Sequence, residues 1–349
     1  MVSIVHAARD IARVRQISLV LVRHGFGEIA RRVGFGREKK AKEHGPTADD
    51  EIPAEDEARG AQARQQTSTA VRARRVLEDL GPSFVKLGQI ASTRADVLPP
   101  DLLTELKKLQ DSVPEVPFEQ IKAQVERSLG AELTEVFESF ESKPLAAASI
   151  AQVHRAVLKG DDGPLDVVVK VQRPGIAETI ASDLDLLHTF AALIERTIPE
   201  SKIYNPVGLV QKFDKAIIAE RDFATEADNA VRFSQNFESF RNVRFPKVYK
   251  QASSKHVLTL EFIDGKKVYD ALSAGYDGKK LARISLDVIV KQIFEDGFFH
   301  ADPHPGNVFV LGTPDEPVLA MLDLGMVGRL SPELRDQTVD LLIAAAGSN

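Results

Sequence analysis

Two short polar motifs near the end of the chain constrain its fold more than any other feature. The first runs from His300 to Asn307 and holds an Asp and an Asn five residues apart, Asp302 and Asn307. The second begins at Asp323, sixteen residues after Asn307 and directly after an apolar run. Mg²⁺ prefers one or two protein carboxylates together with phosphate oxygens. The motifs therefore predict a site for a divalent cation and a phosphate-bearing ligand, with Asn307 and Asp323 as metal ligands.

The spacing within the first motif is typical of a kinase catalytic loop. In that loop the Asp orients the attacking hydroxyl and the Asn holds a metal ion, which makes Asp302 the candidate catalytic residue. Two alternatives remain open from these residues. One is a proline-rich turn and a hairpin that carry incidental acids. The other is a zinc site formed by His300, Asp302 and His304, although no further Cys/His cluster supports it.

A lysine lies inside the most apolar predicted strand, as Lys170 of Val167–Val171. Such a lysine must contact an anion or extend to solvent. In a kinase it contacts the α- and β-phosphates, whereas the alternative is a lysine on an edge strand facing water. Upstream, where a glycine-rich phosphate loop is expected, stand Ala146, Ala147, Ala148 and Ser149. Their backbone N–H groups can bind phosphate, but the alanine methyl groups disfavour the positive φ that glycine allows.

Composition excludes several classes of protein. The chain has 349 residues, of which 43% are apolar, enough for one large or two average domains. Lys and Arg number 45 against 51 acidic residues, and this acidic balance argues against a nucleic-acid partner. The absence of cysteine excludes a disulfide framework, a thiolate metal site and a cysteine nucleophile. No apolar stretch approaches the roughly 20 residues that a membrane span requires.

The beginning of the chain is basic. Apolar residues recur there at helical spacing among the arginines, at Ile11, Val14, Ile17 and Leu21. This pattern predicts a basic amphipathic helix that lies on an anionic membrane surface; the alternative is a helix packed on the rest of the chain. The predicted localisation is cytoplasmic, with a peripheral position on the inner face of the membrane. Residues 41–60 are acidic and contain Gly and Pro, which predicts a mobile linker.

Helical patterns dominate up to Gly130, and strands with interspersed helices follow, which predicts an α+β fold. Pro99 and Pro100 interrupt the helical pattern, and Asp101 is the expected cap of the next helix. The predicted strands are Val153–Leu158, Leu165–Val171, Val257–Ile263, Val308–Leu311 and Val318–Leu322. The predicted later helices are Ile176–Arg196, Val207–Phe240, Lys280–Asp296 and one that begins at Ser331-Pro332.

The segment Leu80-Gly-Pro-Ser-Phe-Val-Lys-Leu-Gly-Gln89, continued by Ser92–Pro100, resembles the signature of the UbiB/AarF family. These are atypical protein-kinase-like proteins linked to ubiquinone and other prenyl-lipid metabolism. The resemblance extends from about residue 60 to the last residue and implies a bilobal protein-kinase-like fold. The expected segments are the basic helix and acidic linker described above (1–60), then a helical extension (61–130), an N-lobe with inserted helices (131–265) and a partial C-lobe (266–349).

The same resemblance implies a role for each site residue. Lys86, Gly88 and Gln89 belong to the extension that folds over the active site where a protein substrate would dock. Ala146 to Ser149 form the alanine-rich loop that replaces the kinase glycine loop. Lys170 matches the ATP-binding lysine, and Asp302, Asn307 and Asp323 match the catalytic and metal residues. The segment Glu261 to Gly265, including Ile263, resembles the hinge that meets adenine through its backbone.

The segment Glu220–Asn229 resembles the ExD segment of that family, which implies that Glu226 pairs with Lys170 and that Glu220 and Asp222 meet Lys86. Helical geometry supports part of this: Asp222, Glu226 and Asn229 fall within about 60° of one another. Glu220 lies about 160° from Asp222, so both can face one site only across a local break. Ordinary kinase spacing would instead favour Asp185 or Glu195 as the partner of Lys170.

Two features depart from the ordinary protein-kinase pattern. His304 stands where those kinases carry a lysine, as in small-molecule kinases, and only 24 residues follow Gly325. A C-lobe needs on the order of 100 more, so a truncated C-lobe is expected. The predicted function is binding of Mg²⁺ and ATP or ADP, with ATPase or small-molecule phosphotransferase activity that supports quinone biosynthesis.

The expected partners are the nucleotide, prenyl-lipid or quinone precursors, a membrane surface and quinone-biosynthesis proteins. Two other functions stay open: a nucleotide-binding regulatory module without turnover, and a protein kinase acting in trans.

Overall fold

The computed structural model describes residues 2–28, 53–92, 95, 98–109, 114–197, 199–303 and 305–346. Its elements confirm an α+β fold. The helices are α1 (Val2–Arg23), α2 (Ala54–Gln66), α3 (Thr69–Leu80), α4 (Pro82–Ser92), α5 (Pro100–Leu106), α6 (Phe118–Leu129), α7 (Leu133–Val136), α8 (Ile176–Thr197), α9 (Pro206–Glu220), α10 (Phe223–Asn236), α11 (Val268–Ser273), α12 (Gly278–Val290) and α13 (Pro332–Ala346).

The strands are short except for one long hairpin. They are β1 (Phe137–Phe140), β2 (Ala146–Ala147), β3 (Ala151–Gly160), β4 (Gly163–Gln172), β5 (Val243–Arg244), β6 (Val257–Glu261), β7 (Lys266–Lys267), β8 (Phe298–His300), β9 (Val308–Gly312), β10 (Pro317–Met321) and β11 (Val327–Arg329). The five predicted strands are present with shifts of one or two residues at their ends. Sequence reasoning missed the shorter strands β1, β2, β5, β7, β8 and β11.

The chain divides into two compact units that do not follow the order of the sequence. The first contains residues 1–115, 146–151 and 173–218, and the second contains residues 116–145, 152–172 and 219–349. The alanine-rich segment and helix α8 therefore belong to the same unit as the N-terminal helices. This division differs from the four consecutive segments that the sequence suggested.

The first unit is helical, and α1 supplies part of its core. Ile17 and Val20 are 2% and 5% exposed and pack with residues of α3, α4, α8 and α9. Arg13 donates to Asp183 on α8 at 2.6 Å, and this carboxylate is itself buried. The described apolar side chains of α1 thus support the alternative of a helix packed on the rest of the chain.

Part of the predicted acidic linker is also ordered into this unit. Residues 54–60 form the start of α2, where the buried Asp56 accepts from Arg23 of α1 at 3.0 Å. The remainder of that linker lies outside the described residues, apart from Pro53. At α5 the prediction of Asp101 as cap is wrong, because Pro99 is the N-cap and Pro100 begins the helix. Proline is favoured at this first position because its missing N–H would have no partner there.

The second unit contains three sheets. Strands β1, β3, β4 and β6 are hydrogen bonded in that order, with α6 against the sheet. Strands β5, β10, β9 and β7 form a second sheet in that order, and β8 pairs antiparallel with β11. Val167, Val169 and Val171 of β4 point into the core of the first sheet and are fully buried. Because side chains alternate along a strand, Lys170 faces the opposite side.

One predicted helix is in fact two. The structure ends α9 at Glu220 and begins α10 at Phe223, with Asp222 as the N-cap, so the continuous helix Val207–Phe240 is wrong. The Asp222 carboxylate accepts from the N–H groups of Ala224 at 3.1 Å and Thr225 at 3.4 Å. A short acidic side chain at this position satisfies helix donors that would otherwise have no partner.

The helix predicted to reach Asp296 also differs from the structure. The α-helix ends at Val290 and continues as one π-helical turn, Lys291–Glu295. Among the described residues, no helix has both the length and the apolar content to cross a membrane.

Candidate functional site

Lys170 occupies a central strand of the first sheet rather than an edge. Strand β4 lies between β3 and β6, with Lys170 opposite Leu258 in the register of β6. The edge-strand alternative is therefore wrong. The neighbouring valines are buried on one face of the sheet and fix the position of the strand. The lysine side chain extends from the other face toward α10.

The partner of this lysine is Glu226, in the first turn of α10. The Nζ atom of Lys170 lies 2.8 Å from Oε2 and 3.1 Å from Oε1 of Glu226, whose side chain is 4% exposed. The ammonium also lies 5.2 Å from the ring centroid of Phe223, the first residue of the helix. Of the two alternatives, Glu195 instead accepts from the N–H of Val207 at 3.2 Å, and Asp185 lies on α8 in the first unit.

Both members of this pair have shifted pKa values. Burial alone lowers the pKa of Lys170, but the carboxylates of Asp323 and Glu226 outweigh it, so the pKa is raised above its ordinary value. Burial raises the pKa of Glu226, while the charge of Lys170 acts in the opposite direction. At neutral pH the lysine therefore remains a cation, which is the form that a phosphate group binds.

Asp323 brings a second carboxylate to the lysine. Its Oδ1 lies 3.5 Å from Nζ of Lys170, and its side chain is 56% exposed. Its backbone has φ 53°, in the left-handed region that Asp tolerates better than most residues. The buried Asn229 of α10 donates to the carbonyl of Leu324 at 3.0 Å, which fixes this turn to the helix that carries Glu226.

His300 links the two polar motifs and is not available to a metal. Its Nδ1 accepts from the backbone N–H of Asp302 at 3.1 Å, so its Nε2 is the protonated nitrogen and donates to the carbonyl of Leu322 at 3.2 Å. Both ring nitrogens of this buried histidine are thus engaged. A zinc site that includes His300 does not fit this geometry; His304, its other predicted histidine ligand, lies outside the described residues.

Asn307 is held in the loop by two hydrogen bonds. Its amide nitrogen donates to the carbonyl of Asp302 at 3.2 Å, and its own carbonyl accepts from the N–H of Leu322 at 2.8 Å. The first bond uses the amide nitrogen, so the amide oxygen is the atom that remains for a cation. An amide oxygen and the exposed carboxylate of Asp323 are both hard oxygen donors, and this donor set fits Mg²⁺ completed by phosphate oxygens and water.

The alanine-rich segment lies in the first unit, where Arg173 holds it by hydrogen bonds. The N–H of Ala148 donates to the carbonyl of Ala151 at 2.9 Å, and Ser149 is buried. The guanidinium of Arg173 donates to the carbonyl of Ala148 at 2.8 Å and to that of Pro114 at 2.9 Å. Burial lowers the pKa of Arg173. Ala146 and Ala147 form the short strand β2, and Arg173 fixes the residue that follows them.

The predicted hinge follows β6 directly. The carboxylate of Glu261 accepts from the guanidinium of Arg244 and, at 3.3 Å, from the N–H of Lys247. The carbonyl of the buried Ile263 accepts from the N–H of Gly265 at 3.1 Å, which turns the chain. Because the side chain of Glu261 is engaged in these contacts, only the backbone of this segment is available to contact adenine.

The family signature and the ExD segment lie in different units. Lys86, Gly88 and Gln89 lie on α4 in the first unit, whereas Glu220 and Asp222 lie at the end of α9 and the cap of α10 in the second. A Cβ atom at Gly88 would lie too close to terminal methyl groups of Leu109 and Leu77, so a larger residue would require these two side chains to move. Part of the signature therefore has a structural reason within its own unit.

The sequence analysis did not include three residues that hold parts of the site in place. Arg173 could have been found from the sequence, because it lies between a predicted strand and the turn-forming pair Pro-Gly. Asn229 shares the polar face of Asp222 and Glu226, which was its signal. Gln292, in the π-helical turn, accepts from the N–H of His300 at 3.1 Å; since a π turn has no clear sequence pattern, this contact had no signal.

Comparison with known proteins identifies a family for this chain. The profile of the ABC1 atypical kinase-like domain matches residues 108–349. The probable protein kinase UbiB of Marinobacter nauticus is 43% identical over 266 residues, which cover 75% of this chain and 48% of that protein. The protein of the same description from Azotobacter vinelandii is 42% identical over 285 residues, which cover 80% and 52%. The chain thus spans about half the length of the curated relatives it matches.

A solved structure shares the fold. The complex of Rv3197 with erythromycin from Mycobacterium tuberculosis superposes with a TM-score of 0.51 at 25% sequence identity, covering 83% of this chain and 74% of that one. The family match spans more than half of the chain and contains the elements that hold Lys170, Glu226, Asp302, Asn307 and Asp323. The chain therefore belongs to the ABC1 family of atypical kinase-like proteins, which includes the UbiB proteins.

Proposed function

We propose that this chain binds ATP or ADP with Mg²⁺ and acts as an ATPase or a small-molecule phosphotransferase. The observation that carries the proposal is the position of Lys170 between the buried Glu226, at 2.8 Å, and the exposed Asp323, at 3.5 Å. A cation held by one fixed and one exposed carboxylate matches the charge pattern required to receive nucleotide phosphates and a metal ion.

Each residue then has a distinct part. Lys170, oriented by Glu226, binds phosphate oxygens. Asn307 and Asp323 hold Mg²⁺, which when bound supplies positive charge against the phosphate oxygens. Asp302 accepts a hydrogen bond from the acceptor hydroxyl or water and orients it for in-line attack. The backbone of the hinge contacts the adenine. The alanine-rich segment contacts the phosphates through N–H groups other than that of Ala148, which donates to the carbonyl of Ala151.

The biological role that we propose is support of ubiquinone biosynthesis. Its support is the UbiB description of the relatives, together with 42–43% identity over at least three quarters of this chain. A prenyl-quinone precursor or another small hydroxyl compound is the proposed phosphate acceptor. A peripheral position on the membrane would bring the site to such apolar molecules.

The test is nucleotide binding followed by turnover. Purified protein is heated with and without MgATP or MgADP, and Asp323→Asn is compared with Asp315→Asn, an exposed aspartate in the turn between β9 and β10. We expect the magnesium-dependent rise in Tm to disappear in the first variant and to persist in the second. Equal rises in both variants would contradict the metal assignment.

Turnover separates the enzyme from the remaining candidates. ADP release is measured with vesicles and with phenolic hydroxyl compounds as acceptors, and labelled phosphate is followed into small molecules and into protein. ADP release that requires Lys170 and Asp302 supports the enzyme. Clear binding without ADP release would favour the regulatory module, and label in an added protein would favour a kinase acting in trans.

A further inference from the structure

A pocket lies in the second unit, beside α10. It has a volume of about 430 Å³, within the range of small-molecule sites, and its lining includes Ser234, Phe245, Lys247, Val248, Tyr249 and Glu261. Of the residues assigned above to the phosphates, the metal or the catalytic step, none lines it. Glu261 is also the first residue of the proposed hinge, but the other lining residues have no role in the proposed function.

The pocket adjoins the elements that hold the Lys170–Glu226 pair. Ala230 lines one wall and lies one helical turn beyond Glu226 on α10. Glu261 lines another wall at the end of β6, the strand paired with the one that carries Lys170. A molecule bound here would contact both the helix of Glu226 and the strand next to Lys170.

The inner lining is apolar and aromatic. Phe245 is 5% exposed and Tyr249 is 7% exposed, and burial is the main cause of the raised pKa of the Tyr249 hydroxyl. The described residues offer this hydroxyl no hydrogen-bond partner, so it is a polar group available within an otherwise apolar wall. An aromatic or other flat apolar body matches such a surface.

The net charge of the lining is positive. The guanidinium of Arg244 and the carboxylate of Glu261 form an ion pair, which balances these two charges. The charge of Lys247 is not balanced in this way. Its ammonium lies 5.5 Å from the ring centroid of Tyr249, and no carboxylate in the described ranges lies within ion-pair distance of it. One cation without a balancing acid is thus left beside an apolar wall.

We propose that this pocket is a second ligand site that takes a small amphipathic carboxylate. The apolar body of the ligand packs against Phe245, Val248 and Tyr249, and its carboxylate pairs with the ammonium of Lys247. The site adjoins the proposed nucleotide site at Glu261, whose carboxylate lines the pocket while the hinge contacts adenine through its backbone. We expect both ligands to bind at once.

Binding of 2-naphthoate to the full chain tests this directly. The chain contains no Trp, so the fluorescence anisotropy of the naphthyl group reports binding without a tryptophan background. The neutral 2-naphthalenemethanol serves as the matched probe that lacks only the charge. We expect saturable binding of naphthoate that persists when MgADP is saturating.

Three variants locate the site. Lys247→Gln should weaken the binding of naphthoate about tenfold, because one charge-assisted contact is lost. The affinity for the neutral probe should not change. Ser234→Phe fills the pocket from its exposed rim and should weaken both probes. Lys255→Gln, an exposed lysine outside the lining, should change neither.

Two results would overturn the proposal. One is naphthoate affinity that is unchanged in both Lys247→Gln and Ser234→Phe. The other is an apparent Kd for naphthoate that rises without limit as MgADP is increased, since this is competition for the nucleotide site. An apparent Kd that reaches a plateau, or does not change, supports separate sites.

Discussion

The Nζ atom of Lys170 lies 2.8 Å from Oε2 of Glu226, and these two residues come from elements 56 positions apart in the chain. Glu226 is 4% exposed and has no solvent to stabilise its charge, so its ionised form depends on the lysine. Asp323 also approaches Lys170 but is exposed. The arrangement therefore has one buried carboxylate that holds the lysine and one exposed carboxylate, which in the proposed function binds the metal ion.

Glu226→Gln tests the holding role. Glutamine keeps the shape and one acceptor but removes the charge, so we expect about 2 kcal/mol of destabilisation, the value of a hydrogen bond to a charged group. Nucleotide affinity should fall about tenfold because Lys170 is no longer oriented. Thermal unfolding and nucleotide titration measure both effects.

Asp228→Asn is the matched control for that variant, because Asp228 lies on the same helix with its side chain 76% exposed. Its stability should stay within about 0.5 kcal/mol of the parent protein, as for most surface changes. Equal effects of the two substitutions would contradict a special role for Glu226.

Alkaline pH should weaken the folded state through Lys170. Its pKa is raised above the ordinary value of 10.5, because the two carboxylates outweigh burial. Above pH 10.5 the unfolded chain therefore loses this proton first, and stability falls as the pH rises further.

The reference for this measurement is the double variant Lys170→Met/Glu226→Gln, which lacks both titrating groups. The difference in unfolding free energy should be constant from pH 8 to 10 and then decrease, by at most about 1.4 kcal/mol per pH unit. A difference that stays constant up to pH 11.5 would show that the pKa of Lys170 is not linked to folding.

The sequence predicted the strand of Lys170 and its orienting glutamate, for different physical reasons. A run of valines around one lysine predicts a strand whose lysine contacts an anion or extends to solvent, and β4 confirms the strand. The choice of Glu226 over Asp185 or Glu195 came from the family resemblance and a shared helix face. Spacing alone did not identify this contact, because it forms between distant elements.

The break between α9 and α10 shows the limit of periodicity. Apolar residues continue at helical spacing through Arg221 and Asp222, so the pattern predicts one helix. The structure interrupts it where the Asp222 side chain competes with the backbone for N–H groups. The same limit applies at α1, since an amphipathic pattern does not distinguish a membrane surface from the protein core that buries Ile17.

Arg173→Lys tests whether the hydrogen bonds of Arg173 hold the alanine-rich segment in place. The guanidinium contacts two carbonyls, those of Ala148 and Pro114, from two different nitrogen atoms. A lysine ammonium is a point charge that does not reproduce this fork, so one carbonyl loses its partner. We expect a loss of about 1–2 kcal/mol in stability and weaker nucleotide binding. Arg241→Lys, an exposed arginine in a turn, should leave both unchanged.

If Arg173→Lys lowers stability and nucleotide affinity no more than Arg241→Lys does, the segment is positioned by its own backbone. In that case the hydrogen bond from Ala148 to the carbonyl of Ala151 is sufficient to hold the turn.

The last prediction concerns the alanines themselves. Among the described residues, the non-glycine positions with positive φ are Asn205 and Asp323, so Ala146 to Ala148 keep ordinary backbone angles. Glycine is not required there, and a glycine adds only freedom, including access to positive φ. That freedom should let the segment settle closer over the β- and γ-phosphates, where displacements near 1 Å change rates about a hundredfold.

We therefore expect Ala147→Gly to change the ratio of ATP to ADP affinity and to increase autophosphorylation. Titration of both nucleotides and labelled ATP measure this in Ala146→Gly, Ala147→Gly and Ala148→Gly, with the exposed Ala274→Gly as control. If all three keep the parent ratio and none gains phosphate, the alanine-rich segment does not select the nucleotide.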